Sequence, residues 1–260
     1  MDKYRILINN IKRYKSAVIA YSGGTDSAFL AYAAREALGN NLLLVTASSP
    51  IFPSHDTAET KNLAKTLGIN HITFQFDALE MPVFTNNPPD RCYHCKKDML
   101  SQIIKIAAEK KYDIVLDGNN ADDLNDHRPG RKALNELGVV SPLCEAGYTK
   151  SKIRSLSEKF GLPTAHKPAS PCLATRFPYG EKITKEKLAR VENAEEKIRN
   201  LGFTVFRVRS HLDLARLEFI PDEMGKAWAM MDKMTRICKD SGFIYVSIDT
   251  EGYMMGAMNE

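Results

Sequence analysis

The chain has 260 residues, 43% hydrophobic and 26% charged, with 36 Lys and Arg against 32 Asp and Glu for a net charge of +4. That composition suits a globular protein that buries a real core in one large domain or two unequal ones. It disfavours disorder and membrane spanning: apolar stretches such as "LLLV" (42–45) are far too short for a bilayer, and "MDKYRILINNIKRYKS" lacks the apolar core and cleavage site of a signal peptide, so a cytoplasmic protein is expected. Basic residues interleave with acidic ones, which argues against a general nucleic-acid surface, and five cysteines without a secretory signal are expected to be reduced thiols.

Short runs rich in Val, Ile and Leu predict strands at "SAVIAY" (16–21), "NLLLVTA" (41–47), "HITFQF" (71–76) and "YDIVLDG" (112–118). Between them, "DSAFLAYAAREAL", "HDTAETKNLAKTL" and "CYHCKKDMLSQIIKIAAEK" carry apolar residues at helical spacing. Buried strands alternating with helices predict a parallel sheet covered on both faces. A fifth strand is expected near "GVVSPL" (138–143), then a helix over "YTKSKIRSLSEKFG" with Gly161 as its C-cap. After a Pro-rich loop the pattern changes. A charged helix (184–202), alternating "FTVFRVRS" and "LARLEFI", a helix from about Pro221 to Cys238 and "GFIYVSID" predict a small α+β domain. The expected division is 1–165 and 166–260.

"AYSGGTDSAFL" follows the first predicted strand and opens a helix, so Ser22, Gly23, Gly24, Thr25 and Asp26 lie at the carboxyl end of a strand, where open parallel sheets bind ligands. Two glycines let main-chain N–H groups close on an anion, and the helix N-terminus adds partial positive charge. Ser22 and Ser27 can donate hydroxyl hydrogen bonds, and Asp26 can hold Mg²⁺ against a phosphate. No lysine follows the glycines and a third glycine is missing, so this is neither the P-loop nor the dinucleotide fingerprint. "DGNNADDLNDHRPGRKALNELGVVSPL" begins at the fourth strand's end. It brings Asp117, Asp122, Asp123 and Asp126, with Arg128 and Arg131, as candidate Mg²⁺ and phosphate ligands or as an ordinary charged surface helix.

"SGGxDS" resembles the loop of the ATP pyrophosphatases, which adenylate a substrate and release pyrophosphate. Together, "SGGTDS", "PPDRCYHCK", "DGNNADD", "HRPG", "ELGVVSPL", "KPASPCLATRFPYG" and "EGYMMGAMNE" resemble nearly end to end the LarE family, the sulfur transferases that mature the nickel-pincer cofactor of lactate racemase. The resemblance implies a parallel-sheet PP-loop ATP pyrophosphatase domain, of the adenine nucleotide alpha hydrolase type, with a smaller C-terminal α+β domain. It implies ATP and Mg²⁺, with Asp26 and Asp122 as metal candidates. A pyridine carboxylate mononucleotide is adenylated, a cysteine thiolate forms a thioester, and Cβ–S cleavage leaves dehydroalanine. A homo-oligomer, built of trimers, is also implied.

Cys172 is the residue that matches the sulfur donor; packing is its bland alternative. Arg176, four residues on, can lower the thiol's pKa or bind the substrate phosphate. Arg207 and Arg209, two apart on a strand and so on one face, resemble the family's substrate-binding arginines, and Glu218 can be their partner or a proton acceptor. Ordinary ion pairs on an exposed sheet face are the alternative. Cys92 and Cys95 have the spacing of half a zinc site or of two iron–sulfur ligands, with Cys172 or Cys144 as a third, or else are half-buried thiols. Cys144 and Cys238 read as packing. The lone cysteine in "SPCLATR" favours the sacrificial route over a cluster. A tRNA-thiolating enzyme and a nucleotide-sensing module are the rivals, but the first lacks a basic face and the second leaves Cys172 without a task.

Overall fold

The computed structural model describes residues 3–124 and 130–254. In chain order the elements are α1 (Lys3–Ile11), β1 (Ala17–Ala20), α2 (Thr25–Leu38), β2 (Leu42–Ser48), α3 (Ser54–Thr66), β3 (Asn70–Gln75), α4 (Pro82–Thr85), α5 (Arg91–Glu109), β4 (Ile114–Leu116), α6 (Gly130–Leu137), α7 (Pro142–Glu145), α8 (Lys150–Lys159), α9 (Lys185–Arg199), β5 (Phe206–His211), β6 (Leu214–Phe219), α10 (Pro221–Ala229), α11 (Met231–Asp240) and β7 (Tyr245–Ile248). They divide into two compact units. The first holds residues 1–49, 54–76 and 92–169, and the second holds 50–53, 77–91 and 170–260.

The first unit is built on a parallel sheet of order β3-β2-β1-β4. β1, β2 and β4 are apolar on both sides because helices cover both faces, whereas the edge strand β3 is more polar and only half-buried. Ile19, Leu42 and Leu44 pack with Phe29, Leu7 and Ile153 on one face. Val18, Leu43 and Val45 pack with Leu100, Ile103 and Leu134 on the other. Four alanines of α2, Ala28, Ala31, Ala33 and Ala34, have no exposed surface, which lets the helix lie close on the sheet. Gly161, with φ of 67°, ends α8 as expected.

The expected fifth strand does not form. Val140 makes a single parallel bridge to Leu116, and Pro142, which has no N–H to donate, starts α7 two residues later.

The second unit contains the sheet β5-β6-β7, with β5 antiparallel and β7 parallel to β6. Helix α9 is capped by Thr184, which accepts from the Lys187 N–H, and buries Leu188, Val191, Ala194 and Ile198. Phe206 and Phe219 stack, and Phe203 meets both rings at an angle. Each such burial contributes about 2–3 kcal/mol. The helix expected from Pro221 to Cys238 breaks at Met230, whose φ of −114° takes it out of the helical region, leaving α10 and α11. Among the described residues no helix is long and apolar enough to cross a membrane.

Candidate nucleotide and sulfur-donor sites

Ser22–Ser27 turns from β1 into α2. Gly23 has φ of 69°, and a Cβ there would lie 2.5 Å from Thr60 Cγ2 on α3, so both the backbone and the space demand glycine. Gly24 is the N-cap of α2 and supplies no side-chain cap. The N–H groups of the first turn therefore stay available to an anion. Ser22 Oγ and Ser27 Oγ lie 3.2 Å apart, Ser27 Oγ donates to Gly24 O, and Gly24 N donates to Ser22 Oγ. Thr25 Oγ1 donates to the Thr164 carbonyl at 2.8 Å, fixing the helix start against the chain leaving α8.

The acidic loop after β4 packs on this turn. A Cβ at Gly118 would lie 3.0 Å from Ser27 N. Asp26 Oδ2 accepts from Lys150 Nζ at 2.7 Å and from Asn120 Nδ2 at 3.3 Å, whereas Asp26 Oδ1 is buried without a hydrogen-bond partner among the described residues. Asp122 accepts from the Lys150 N–H at 2.8 Å, so Asp26 and Asp122 meet the two ends of one lysine. Asp117 is already committed: it accepts from Ser141 Oγ, the Asn119 N–H and Lys96 Nζ. Asp123 accepts from the Asn120 N–H. Arg131 donates to the Asp123 and Leu124 carbonyls. Asp126 and Arg128 lie outside the described residues.

In the second unit, Cys172 is half-buried and caps a short 3-10 turn, Leu173–Arg176. Arg176 is 2% exposed. Its Nε and Nη2 donate to the two carboxylate oxygens of Glu195 at 2.8 and 2.9 Å, and its Nη1 donates to the carbonyls of Pro171 and Cys172 and to Thr175 Oγ1. Burial disfavours the Glu195 carboxylate, yet the Arg176 charge and hydrogen bonds, with the Val208 N–H, hold its pKa below the ordinary range. Arg176 therefore ties down the main chain on both sides of the Cys172 peptide.

Arg207 and Arg209 are both buried on β5. Arg209 donates to Glu218 Oε2 through Nε at 2.9 Å and to Thr175 O through Nη1, and Glu218 Oε1 also receives Arg216. Arg209 and Arg216 stand opposite each other across the strand pair, and the shared Glu218 offsets that repulsion. Arg207 lies 4.9 Å from the centre of the Tyr253 ring. Burial, then the neighbouring Arg176 charge, pulls its guanidinium below its ordinary pKa. Gly252 makes the turn that brings Tyr253 there, with φ of 79° and room for no Cβ beside Phe219 O, 2.6 Å away. Ion pairs join Arg176 to Glu195, Arg209 and Arg216 to Glu218, and Arg216 to Asp249, while Arg207 donates to the Phe206 carbonyl.

Comparison with known proteins fits both units. The NAD synthase family model matches residues 5–105. An uncharacterised Synechocystis protein is 41% identical over 245 residues, covering 94% of this chain and 91% of its own length. The pyridinium-3,5-bisthiocarboxylic acid mononucleotide synthase of Lactiplantibacillus plantarum is 37% identical over 259 residues, covering 99% of this chain and 94% of its own. The chain belongs to the LarE family. An uncharacterised protein of Methanocaldococcus jannaschii, 32% identical over 250 residues and 95% of each chain, is related along the same length.

Within this LarE chain the remaining cysteines differ in surroundings. Cys92 is exposed and Cys95 half-buried at the start of α5. Burial raises the Cys144 thiol, and it pushes Cys238, which has no exposed surface, up to about 12. Among the described residues no three His, Cys, Asp or Glu side chains gather to hold a metal. Sequence reasoning missed Lys150, Asn120 and Glu195. Lys150 signalled only a helix start after Thr149, and Glu195 looked like any charged position on an amphipathic helix.

Proposed function

We propose that the protein uses ATP to adenylate a pyridinium carboxylate mononucleotide, takes the acyl group onto Cys172 as a thioester and releases a thiocarboxylate, leaving dehydroalanine. The observation that carries this reading is the relationship, over 99% of the chain, to the Lactiplantibacillus plantarum synthase.

The substrate carboxylate oxygen attacks the α-phosphate of ATP, the bond to the β-phosphate oxygen breaks, and pyrophosphate leaves. Ser22, Gly23, Gly24 and Ser27 hold the departing phosphates with main-chain N–H and hydroxyl groups. The orphaned Asp26 Oδ1 suits the Mg²⁺ that accompanies ATP, since this ion is held by one or two carboxylates and the phosphates themselves. Asp122 is its neighbour in the same network. When bound, Mg²⁺ neutralises phosphate charge. The Cys172 thiolate then adds to the acyl carbon, a C–S bond forms, and AMP departs with the electrons of the C–O bond. Loss of the Cys172 Cα proton to a base drives cleavage of the Cβ–S bond. The sulfur keeps the electron pair as thiocarboxylate, and no oxidant or reductant is needed.

Arg176 acts on this chemistry through the loop. Its charge is felt at Cys172, and its donors hold the flanking carbonyls. The positive charge of Arg207 and Arg209, set beside Glu218, suits the mononucleotide phosphate. A reaction that needs ATP and a reduced thiol suits the cytoplasm. The homo-oligomer implied by the family is checked by sedimentation.

Intact mass over one turnover tests the reading. The expected record is a transient substrate adduct, then loss of one H₂S equivalent at Cys172. Cys172→Ala still releases pyrophosphate and makes no thiocarboxylate, whereas Asp26→Ala loses pyrophosphate release by roughly 100-fold. Repeated turnover with Cys172 intact would overturn the sacrificial step.

A further inference from the structure

The motif "PPDRCYHCK" is not used by the chemistry above, yet its first part, with Asn87 just before it, belongs to the same unit as the donor loop. Between Ser170 and Ile183 the described chain has one short 3-10 turn as regular structure. Hydrogen bonds from earlier segments of the unit hold it in place. Leu173 N donates to Ile51 O at 2.7 Å and Ile183 N to Thr85 O at 2.8 Å. The other two involve one residue: Asn87 Nδ2 donates to Pro178 O at 2.7 Å, and Asn87 O accepts from Gly180 N at 2.9 Å. Asn87 thus grips both sides of Tyr179, whose ring carries the Arg91 guanidinium at 4.7 Å.

Asn87 has no exposed surface and a φ of 56°. Such a backbone is easy for glycine and acceptable to Asn or Asp, and the bond to Pro178 needs a side-chain donor. Asparagine meets both demands; glycine meets the first alone, and aspartate would face a carbonyl with a carboxylate.

We propose that Asn87 is a positioning residue for sulfur transfer, holding the loop so that the Cys172 thiol meets the adenylated carbonyl, with no part in adenylation. The proposal rests on the function proposed above. A reacting pair must sit about 3–3.5 Å apart and aligned, and a displacement of about 1 Å costs up to roughly 100-fold in rate. With the clamp released, adenylate still forms and loses its AMP to water, giving back the carboxylate.

The test is a single-turnover comparison of pyrophosphate released and dehydroalanine formed, the second read by intact mass, in wild type, Asn87→Gly and Asn87→Asp. Asn87→Gly suits the same backbone conformation and removes the side chain with its amide. Pyrophosphate release is expected within about twofold of wild type, and pyrophosphate per dehydroalanine is expected to rise roughly ten- to 100-fold. Partial unfolding lowers both quantities together and leaves that ratio unchanged. An unchanged ratio in both variants overturns the clamp. Wild type that releases pyrophosphate and never converts Cys172 overturns the underlying function instead.

Discussion

Glu195 shows how single residues set the loop that carries Cys172. It is buried, paired twice with Arg176 and bonded to the Val208 N–H, and its pKa is held below the ordinary range. The unfolded chain takes up this proton near the ordinary value of about 4.3 and the native chain only at a lower pH. The stabilisation is therefore complete above that value and is lost as pH falls toward the native pKa. Glu195→Gln leaves Arg176 buried with half a partner and is expected to cost about 3–5 kcal/mol at pH 7. In urea unfolding the gap to wild type should close below about pH 4; a gap independent of pH would mean that the ion pair is not what is lost. Cys172 stood out in the sequence because its neighbours form a motif that resembles the LarE family's, and the donor role proposed for it rests on that resemblance. Glu195 did not, since helical periodicity marks a charged residue as solvated and cannot reveal a buried guanidinium arriving from another segment.

At the scale of elements, the turn into α2 is held by its surroundings as much as by its own sequence. Gly23→Ala imposes the left-handed penalty of about 1–2 kcal/mol and drives a methyl into Thr60 Cγ2. Calorimetric titration with a non-hydrolysable ATP analogue should show binding weakened roughly tenfold or more. Gly23→Ala with Thr60→Ser removes the colliding methyl while keeping the hydroxyl that bonds Thr57 O, and should recover part of the loss. A double variant no better than the single one would mean that φ alone is decisive. The parallel strands were readable from their apolar runs and the intervening helical spacing. The fifth strand was misread because "GVVSPL" has the right residue types, and Pro142 decided the outcome by opening a helix. The break at Met230 carries no glycine or proline to announce it.

At the scale of the whole chain, the second unit is discontinuous in sequence. Residues 50–53 and 77–91 belong with 170–260, and through Ile51, Thr85, Asn87 and Arg91 they meet the loop that carries Cys172. A fragment of residues 166–260 carries the sheet and its phenylalanine cluster but lacks these partners. Scanning calorimetry of that fragment should show no sharp unfolding transition; a cooperative transition at the full-length temperature would show the earlier segments to be dispensable. No composition shift marks such interleaving, because a segment's packing partners are not encoded in its local pattern. The same interleaving bears on synthesis. A ribosome delivers Asn87 well before its partners Pro178 and Gly180, a delay of roughly 5–20 s at ordinary elongation rates. During that interval Asn87, which has no exposed surface in the finished protein, emerges without the loop it will bond, so the nascent chain passes through a stage in which chaperones have something to hold.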